Sequence, residues 1–533
     1  MSRFNVAGPV VCWLLALSAP ALAQTPTEPA GRALSEQDAV TAAVAHNPSL
    51  HVALLRANQD RLTVTAEDAL YTPIFDASAG YTRARTPSIA GDDVRFGTSN
   101  LFDLGAGLTK PFSTGTVLSA RVSAQRSLRV STLSQGTDLD GDMVDDSVTV
   151  LDVESGPNYS LVGRLGVTQP LLRGAWSDVG LTSLRQAKLS LSVSELGAQE
   201  SASALLGQVV TAYWELWYSR EVVHINEASL ELAKVQEEQA KQQVASGALA
   251  PASALPYATR VAELEETVLG ARTDVRQREL ALAQLFGEPG GIAQGLVAAD
   301  APRDSAVDEP VMARAVDDAL HNSYQLKQLQ TQLALAKEQL KTAGDPLRPR
   351  LDVDAYVQAE GLGNRRVPPA FEQVGKMQAV SAHVGLTFEM PLTDTRRSAQ
   401  IEATRLSQRI VEKQIVESEV AIRTSVASAL SRLRAAREKS DLSRRTEQVA
   451  RQQAEAERAR FQAGSSIAIS VQEAEDSLRQ AELRAQRARV DLLLSEVDLM
   501  ELRGELLRRY SGALARLPAS DRTTLERDPP RNF

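Results

Sequence analysis

The carboxylates of one short acidic segment are the residues best suited to bind a metal ion. They are Asp138, Asp140, Asp142, Asp145 and Asp146. Because Ca²⁺ prefers about six to eight oxygen ligands, the segment predicts weak calcium binding through Asp138, Asp140, Asp142 and Asp145. An EF-hand does not fit, since aligning Gly141 with the loop glycine leaves Gly136, which has no carboxylate, at the first ligand position. A plain acidic loop is the alternative interpretation.

The other reactive side chains form no recognised catalytic pattern. They are His46, His51, His224, His321, His383 and Cys12. The sequence contains no HExxH pair, no Ser/His/Asp order, no P-loop and no GxGxxG segment. His46 and His321 lie at equivalent helix ends and are interpreted as structural. We therefore expect a protein that is not an enzyme and that uses no cofactor.

Composition and charge restrict the partners and the fold. The 533 residues carry a net charge of −9, so the chain lacks the basic surface that binds nucleic acid. Aromatic residues make up only 4% of the chain, while Ala, Leu, Glu, Gln and Arg are concentrated in two long stretches. This composition is typical of long helices and coiled coils.

The two ends of the chain are expected to lie outside the folded part. Residues 1–23 are predicted to be a secretory signal, with Arg3 before the apolar run 10–17 and a small-residue cleavage site at Ala21-Leu22-Ala23. Cys12 would be removed with this segment. We expect residues 24–33 to be a flexible leader and residues 513–533 to be a disordered tail.

An internal duplication organises the rest of the sequence. His46-Asn47 recurs as His321-Asn322, Pro73 and Asp76 recur as Pro349 and Asp352, and Pro170 recurs as Pro391. Gly247 recurs as Gly464. The spacing between equivalent residues of the two repeats drops by about 55 residues inside the strand region, so repeat 1 is predicted to carry an insertion there. Each repeat is predicted to be one supersecondary unit that cannot bury its apolar face alone.

Alternating apolar and polar residues predict strands in each repeat. Repeat 1 has alternating runs at 74–83, 100–111, 116–127 and 160–169, and repeat 2 has them at 350–359 and 380–389. The runs 100–111 and 116–127 flank a tight turn and predict a hairpin, which either adds two membrane strands or folds back as a cap. We expect a polar loop over residues 134–159.

Heptad spacing predicts a pair of long helices in each repeat, joined at Gly247 and at Gly464. The second seam consists of Val471, Ala474, Leu478, Ala481, Ala485, Ala488 and Leu492. The first seam consists of Ala254, Tyr257, Val261, Leu264, Val268, Ala271 and Val275. Ser253 and Ser470 are predicted to cap the returning helices. The resulting domains are repeat 1 at 34–298, with strands at 74–169 and helices at 178–287, and repeat 2 at 299–512, with strands at 350–389 and helices at 395–510.

Five motifs, in this order and with the duplication, resemble the outer-membrane efflux proteins of the TolC family. The motifs are Ser35-Glu36-Gln37-Asp38-Ala39-Val40, His46-Asn47-Pro48, Val167-Thr168-Gln169-Pro170-Leu171-Leu172-Arg173-Gly174, Ala212-Tyr213-Trp214-Glu215-Leu216 and Arg460-Phe461-Gln462-Ala463-Gly464. The resemblance covers residues 34–512. It implies an α+β membrane protein, a homotrimer whose strands close one transmembrane β-barrel and whose helices close one coiled-coil barrel across the periplasm. The few strands of one chain also favour oligomerisation, because an open sheet edge is unstable in lipid.

The resemblance also implies a function and partners. It implies an export channel in the outer membrane of a Gram-negative-type cell, serving efflux or type I secretion with a periplasmic adaptor (membrane-fusion) protein and an inner-membrane pump. The family's periplasmic constriction corresponds here to Ser253, Phe461, Ser466, Ser470 and Glu473. Of these only Glu473 keeps the family's acidic chemistry, and a solvated helix residue is the alternative. The alternative function is a non-conducting coiled-coil protein anchored in the outer membrane.

Overall fold

The computed structural model describes residues 32–90, 93–137, 147–287, 295–302, 310–390, 392 and 394–526. The predicted signal segment and the acidic residues Asp138, Asp140, Asp142 and Asp145 lie outside this part, so weak calcium binding stays a prediction. The chain divides into two compact units. The described residues of the first unit lie within 1–39, 212–284 and 288–301, and those of the second lie within 40–211, 285–287 and 302–533.

Helices make up most of the described residues. In repeat 1 they are α1 (Glu36–His46), α2 (Pro48–Ala69), α3 (Trp176–Gly180), α4 (Thr182–Ala245) and α5 (Pro251–Phe286). In repeat 2 they are α6 (Met312–Asn322), α7 (Tyr324–Ala343), α8 (Pro368–Gly375), α9 (Thr395–Gln462) and α10 (Ala468–Leu502). The 68 residues of α9 extend roughly 100 Å at about 1.5 Å per residue.

Eight strands form two sheets within the described residues. The small sheet pairs β1 (Arg32–Leu34) in parallel with β6 (Leu296–Ala298), and it lies in the first unit. The large sheet lies in the second unit and has the order β2-β3-β4-β5-β7-β8. Its strands are β2 (Ile74–Ala90), β3 (Asp93–Pro111), β4 (Val117–Thr137), β5 (Ser147–Pro170), β7 (Arg350–Asn364) and β8 (Val380–Glu389).

Every neighbouring pair in the large sheet is antiparallel. The hairpin predicted at 100–127 is present as β3 and β4, and it lies inside the sheet between β2 and β5 rather than folding back. The expectation of a polar loop over 134–159 is wrong for its described residues, because β4 and β5 pair as far as Thr137 and Ser147.

The repeated His-Asn motif is a helix junction that receives the end of a returning helix. Asn47 caps α2 by accepting the Leu50 N–H at 3.1 Å, and its amide donates to the Leu285 carbonyl at 2.9 Å. In repeat 2 the Asn322 amide donates to the Arg503 carbonyl at 3.0 Å, while Ser323 caps α7. The two equivalent asparagines thus share the contact with the end of the returning helix, while the cap is made by Asn47 in repeat 1 and by Ser323 in repeat 2.

The helical seams are confirmed. In the second seam Val471, Ala474, Ala481, Ala485 and Ala488 are buried. In the first seam Val261, Leu264, Val268 and Ala271 are buried. A heptad apolar stripe therefore places one face of each returning helix against neighbouring structure, as its period requires.

Both predicted disordered ends need correction. Arg32 and Ala33, placed in the flexible leader, pair with Leu296 and Val297 in the parallel sheet. After α11 (Leu506–Arg509), which still lies in repeat 2, the residues predicted as a disordered tail include the end of α12 (Ser511–Leu514) and all of α13 (Ala519–Glu526), in which Thr524 is fully buried.

A polar network holds α13 in place. The Thr524 hydroxyl accepts from Arg61 at 3.0 Å, and the Gln199 amide donates to the Thr524 carbonyl at 3.2 Å. Arg61 also pairs with Glu195 at 3.2 Å. The tail is polar and its partners lie far from α13 in the sequence. For both reasons the sequence did not predict that α13 packs against the rest of the unit.

Candidate functional site

The large sheet has one continuous apolar face. Two residues paired directly opposite each other on neighbouring strands lie on the same face of the sheet. The pairing register therefore assigns the side chains of all six strands to one face or the other. One row across the sheet is Phe75, Leu108, Ala120, Leu165, Val357 and Ala382. The next row on this face is Ala77, Ala106, Val122, Gly163, Ala359 and Val380. Phe75, Val122 and Leu165 are more than half exposed in the protomer.

Charged residues limit this apolar face at both ends. Lys110 stands opposite Leu118 at one end, and Arg126 stands opposite Phe102 at the other. Between Leu118 and Arg126 the strand covers about 27 Å at about 3.4 Å per residue. In strands tilted by about 40° this length spans a height of about 21 Å, close to the apolar band of about 25 Å on transmembrane barrels.

The opposite face of the same strands is polar. The row one residue along from the first apolar row is Asp76, Gly107, Arg121, Arg164, Gln358 and Ser381. The Asp76 carboxylate accepts from Arg121 at 2.9 Å, reaching over the intervening strand at Gly107. A Cβ at Gly107 would clash with the Asp76 carboxylate, so any larger residue there would force this side chain to move away from its place over β3.

Aromatic stacking continues the polar face toward β8. The Arg164 guanidinium lies 3.5 Å from the Tyr356 ring centroid, and the Tyr356 and His383 rings stack at 4.9 Å. These three residues lie on β5, β7 and β8. The polar face therefore offers charged, hydrogen-bonding and small side chains to any aqueous space beside it.

Two helical hairpins carry the residues predicted at the constriction. Gly247 lies between α4 and α5 with φ of +80°, and Gly464 lies between α9 and α10 with φ of +75°. Both have open space around the position of a Cβ. This left-handed conformation favours glycine at each turn.

The structure places the five predicted constriction residues near these turns. Ser466 donates to Glu457, while Glu473 and Phe461 are exposed. The prediction that Ser470 caps α10 is wrong, since Ile467 precedes the helix and makes no side-chain cap. Ser253 likewise lies inside α5, which begins at Pro251, a residue whose fixed φ suits a first helical turn.

Ion pairs link the two helices of each hairpin. In the first unit they are Arg220–Glu279 at 2.8 Å, Arg272–Glu227 at 2.7 Å and Lys234–Glu265 at 3.0 Å. In the second they are Lys439–Asp491 at 2.9 Å, Arg451–Glu482 at 3.0 Å and Arg458–Glu475 at 2.9 Å. Exposed pairs contribute little singly. Sequence reasoning missed this ladder, although its heptad spacing in the first hairpin was visible in the sequence.

A cavity of about 660 Å³ in the second unit was also missed. Glu200 of α4 and Asp498 and Glu501 of α10 line it together with Arg432. Burial raises the pKa of Glu200, and burial followed by the charge of Asp498 raises the pKa of Glu501. The two glutamates are brought together from distant segments, so no local pattern in the sequence indicates them.

No group of three or more His, Cys, Asp or Glu side chains in the described part of the chain is arranged to hold a metal ion. No described helix is long and apolar enough to cross a membrane.

The model of the outer membrane efflux protein family matches residues 315–505. This segment is therefore similar to the outer membrane efflux protein family. It comprises nearly all of repeat 2, including β7, β8 and the hairpin of α9 and α10. No curated protein matches the chain.

Solved outer-membrane channels share the fold over about nine tenths of the chain. The chain is similar to the CmeC outer membrane channel of Campylobacter jejuni, with a TM-score of 0.66, 15% identity and coverage of 91% of this chain and 90% of that one. It is similar to VceC of Vibrio cholerae, with a TM-score of 0.61, 14% identity and coverage of 88% and 96%. It is also similar to the open MtrE outer membrane channel of Neisseria gonorrhoeae, with a TM-score of 0.60, 15% identity and coverage of 88% and 89%.

Proposed function

We propose that the protein is a trimeric outer-membrane channel that exports substrates from the periplasm, or from an inner-membrane pump, to the outside. The observation that carries this proposal is the separation of apolar and polar residues on the two faces of the large sheet. An apolar outer face and a polar inner face are what a water-filled barrel in lipid requires. The family match over repeat 2 and the shared fold support the same function.

Two free edges of the sheet call for further copies of the chain. β2 and β8 each pair on one side only among the described residues. Unpaired backbone N–H and C=O groups are costly in lipid, so each edge must pair with another protomer. The β8 edge of one protomer meets the β2 edge of the next, and the number three follows from the family resemblance.

The helical hairpins form the periplasmic part of the proposed channel. Their seams pack helix on helix, and their outer positions are charged, which suits a wall exposed to water on both sides. The turns at Gly247 and Gly464 lie at the proposed periplasmic entrance. Three copies of Glu473 there form an anionic ring that favours cations. Opening moves the helices between packed alternatives.

The proposed channel carries out no chemical step that could supply energy, so it needs partners. A periplasmic adaptor binds the hairpins, an inner-membrane pump supplies the energy, and outer-membrane lipid covers the apolar face. The first 23 residues act as the secretory signal that brings the chain to the periplasm. Both efflux and type I secretion are compatible with this arrangement.

Single-channel conductance in a planar bilayer tests the function. We expect steady conductance from the wild-type protein and a lower preference for cations in Glu473→Ala. Glu417→Ala is the matched control, because it removes an exposed carboxylate from α9, far in sequence from the turn at Gly464. It should leave the preference for cations unchanged. An unchanged preference in Glu473→Ala would keep the channel but remove Glu473 from its constriction.

The alternative function is a non-conducting coiled-coil protein anchored in the outer membrane. The double variant Arg451→Ala and Arg458→Ala removes two ion pairs between α9 and α10 and so loosens the tip of the second hairpin. An absence of conductance in both the wild type and this variant would favour the structural role.

A further inference from the structure

The two repeats contribute unequal numbers of strands to the large sheet. Repeat 2 supplies β7 and β8, whereas repeat 1 supplies β2, β3, β4 and β5. We infer that the β3–β4 hairpin forms part of the lumen wall and sets the bore, so that the outer end passes hydrophilic solutes too wide for two strands per repeat. This inference rests on the proposed channel function.

The position of the hairpin in the sheet makes it part of any closed wall. β3 pairs with β2 from Ile74↔Thr109 to Ala90↔Asp93, and β4 pairs with β5 from Val117↔Thr168 to Thr137↔Ser147. β2 and β5 have no direct ladder with each other. A barrel that closes through the β2 and β8 edges therefore contains the hairpin.

The hairpin has the same two faces as the strands around it. Its apolar side chains Leu104, Leu108 and Val122 share the face of Phe75 and Leu165. On the opposite face the ion pair from Asp76 to Arg121 spans β2, β3 and β4. A cap outside the membrane would not need an apolar face that continues that of its neighbours.

The polar face carries many small side chains between its larger charged and aromatic ones. Small residues on this face include Ser78, Gly80, Gly105, Gly107, Ser119, Ser123, Gly166, Ser381 and Gly385. Small barrels fill their interior with large side chains, while wide barrels enclose water. The face therefore suits an open lumen.

Barrel geometry converts the strand count into a bore. Strands lie about 4.8 Å apart and tilt by about 40° in a closed barrel, so each occupies about 6.3 Å of circumference. Three protomers with six strands each give a backbone radius of about 18 Å. Three protomers with only two strands per repeat would give about 12 Å. The hairpin thus more than doubles the cross-section of the exit.

Single cysteines on the hairpin test whether it lines the lumen. Cys12 is the one cysteine of the sequence and lies in the predicted signal segment, so Cys12→Ser gives a clean background. Ser123→Cys lies on the polar face of β4, and Ala124→Cys is its neighbour on the apolar face. Ser381→Cys on β8 is the control outside the hairpin. Each full-length trimer is reconstituted in lipid vesicles and treated with a charged, membrane-impermeant maleimide.

We expect at least tenfold faster labelling of Ser123→Cys than of Ala124→Cys, and labelling of Ser381→Cys at a rate similar to Ser123→Cys. A lipid-soluble maleimide should label Ala124→Cys, which shows that this variant is folded and reactive. Equal labelling of Ser123→Cys and Ala124→Cys by the charged reagent would place the hairpin in water and overturn the inference. Protected Ser123→Cys beside a labelled Ser381→Cys would also overturn it.

The outcome for Ser381→Cys separates the two proposals. If neither Ser381→Cys nor Ser123→Cys reacts with the charged reagent, the channel function fails and the inferred bore fails with it. Electron microscopy of the wild-type trimer in lipid nanodiscs gives an independent count. Eighteen strands at a radius near 18 Å support the inference, and twelve strands overturn it.

Discussion

The two repeats keep the same helical framework and differ in their strands. With an offset of 217 residues (464 − 247), buried Val209, Leu216 and Leu282 correspond to buried Val426, Leu433 and Leu499. The pair Lys234–Glu265 likewise corresponds to Arg451–Glu482. In the sheet, by contrast, repeat 1 has four strands and repeat 2 has two. Duplication has therefore preserved the packing of the helices while the number of strands changed.

The difference shows which parts of the fold tolerate insertion. A helix seam is fixed at every heptad by its partner, so an inserted segment would displace the whole stripe. A sheet accepts a complete hairpin between two strands, because both new edges pair and each face keeps its polarity. The helices thus constrain length more strongly than the sheet does.

The largest effect is expected from truncating equivalent core leucines. Leu216→Ala and Leu433→Ala each remove a side chain that is at most 2% exposed. Each should destabilise its unit by about 2 to 5 kcal/mol through lost burial and the cavity left behind. Thermal melting of both variants in detergent checks this. A large loss in one variant and none in the other would show that the two cores are not equivalent.

The next effect concerns Tyr213, whose equivalent in repeat 2 is Leu430. The Tyr213 hydroxyl oxygen lies 3.1 Å from the Leu34 carbonyl and accepts the Asp300 N–H at 3.1 Å. Tyr213→Phe should lower stability by about 1 to 2 kcal/mol, because the half-buried Asp300 N–H loses its acceptor, while the Leu34 carbonyl keeps the Ala299 N–H. Tyr257→Phe, whose hydroxyl has no hydrogen bond within the described residues, should change the melting temperature little. Equal effects would contradict the role of the Tyr213 hydroxyl.

Turn glycines should give equal, moderate effects in the two hairpins. Gly247→Ala and Gly464→Ala each put a Cβ on a residue with positive φ but without any steric contact. The expected loss is about 1 kcal/mol in each case, because the left-handed conformation disfavours alanine. Hydrogen exchange at the turns measures the local loss. A loss much greater at Gly464 than at Gly247 would indicate that the second turn makes contacts in the assembled trimer.

The smallest effect is a dependence on pH at Glu501, whose equivalent in repeat 1 is Gln284. Because its pKa is raised in the folded state, ionised Glu501 destabilises the fold at neutral pH, and stability rises as pH falls through the raised pKa. Glu501→Gln should therefore stabilise the protein by about 0.5 kcal/mol at pH 7, since water screens this half-exposed group. Below the ordinary pKa of glutamate the difference should vanish. Melting curves over pH 3.5 to 8 check this, and a difference that persists in acid would contradict the titration of Glu501.

The sequence determined the elements that depend on local period and turn chemistry. Heptad spacing fixed the seams that contain Val268 and Ala485, because a 3.5-residue period allows only one buried stripe. Glycine at 247 and 464 marked the turns, and alternation marked the strands near 74 and 380. The duplication itself pointed to equal helical frameworks.

Only the tertiary structure decided how distant segments combine. The register shows that the six strands share one apolar face, because pairing between strands cannot be read from either strand alone. It also places the β3–β4 hairpin inside the sheet, docks Thr524 against Arg61 and brings Glu200 near Glu501. These arrangements depend on contacts between residues far apart in the chain, for which local propensity carries no signal.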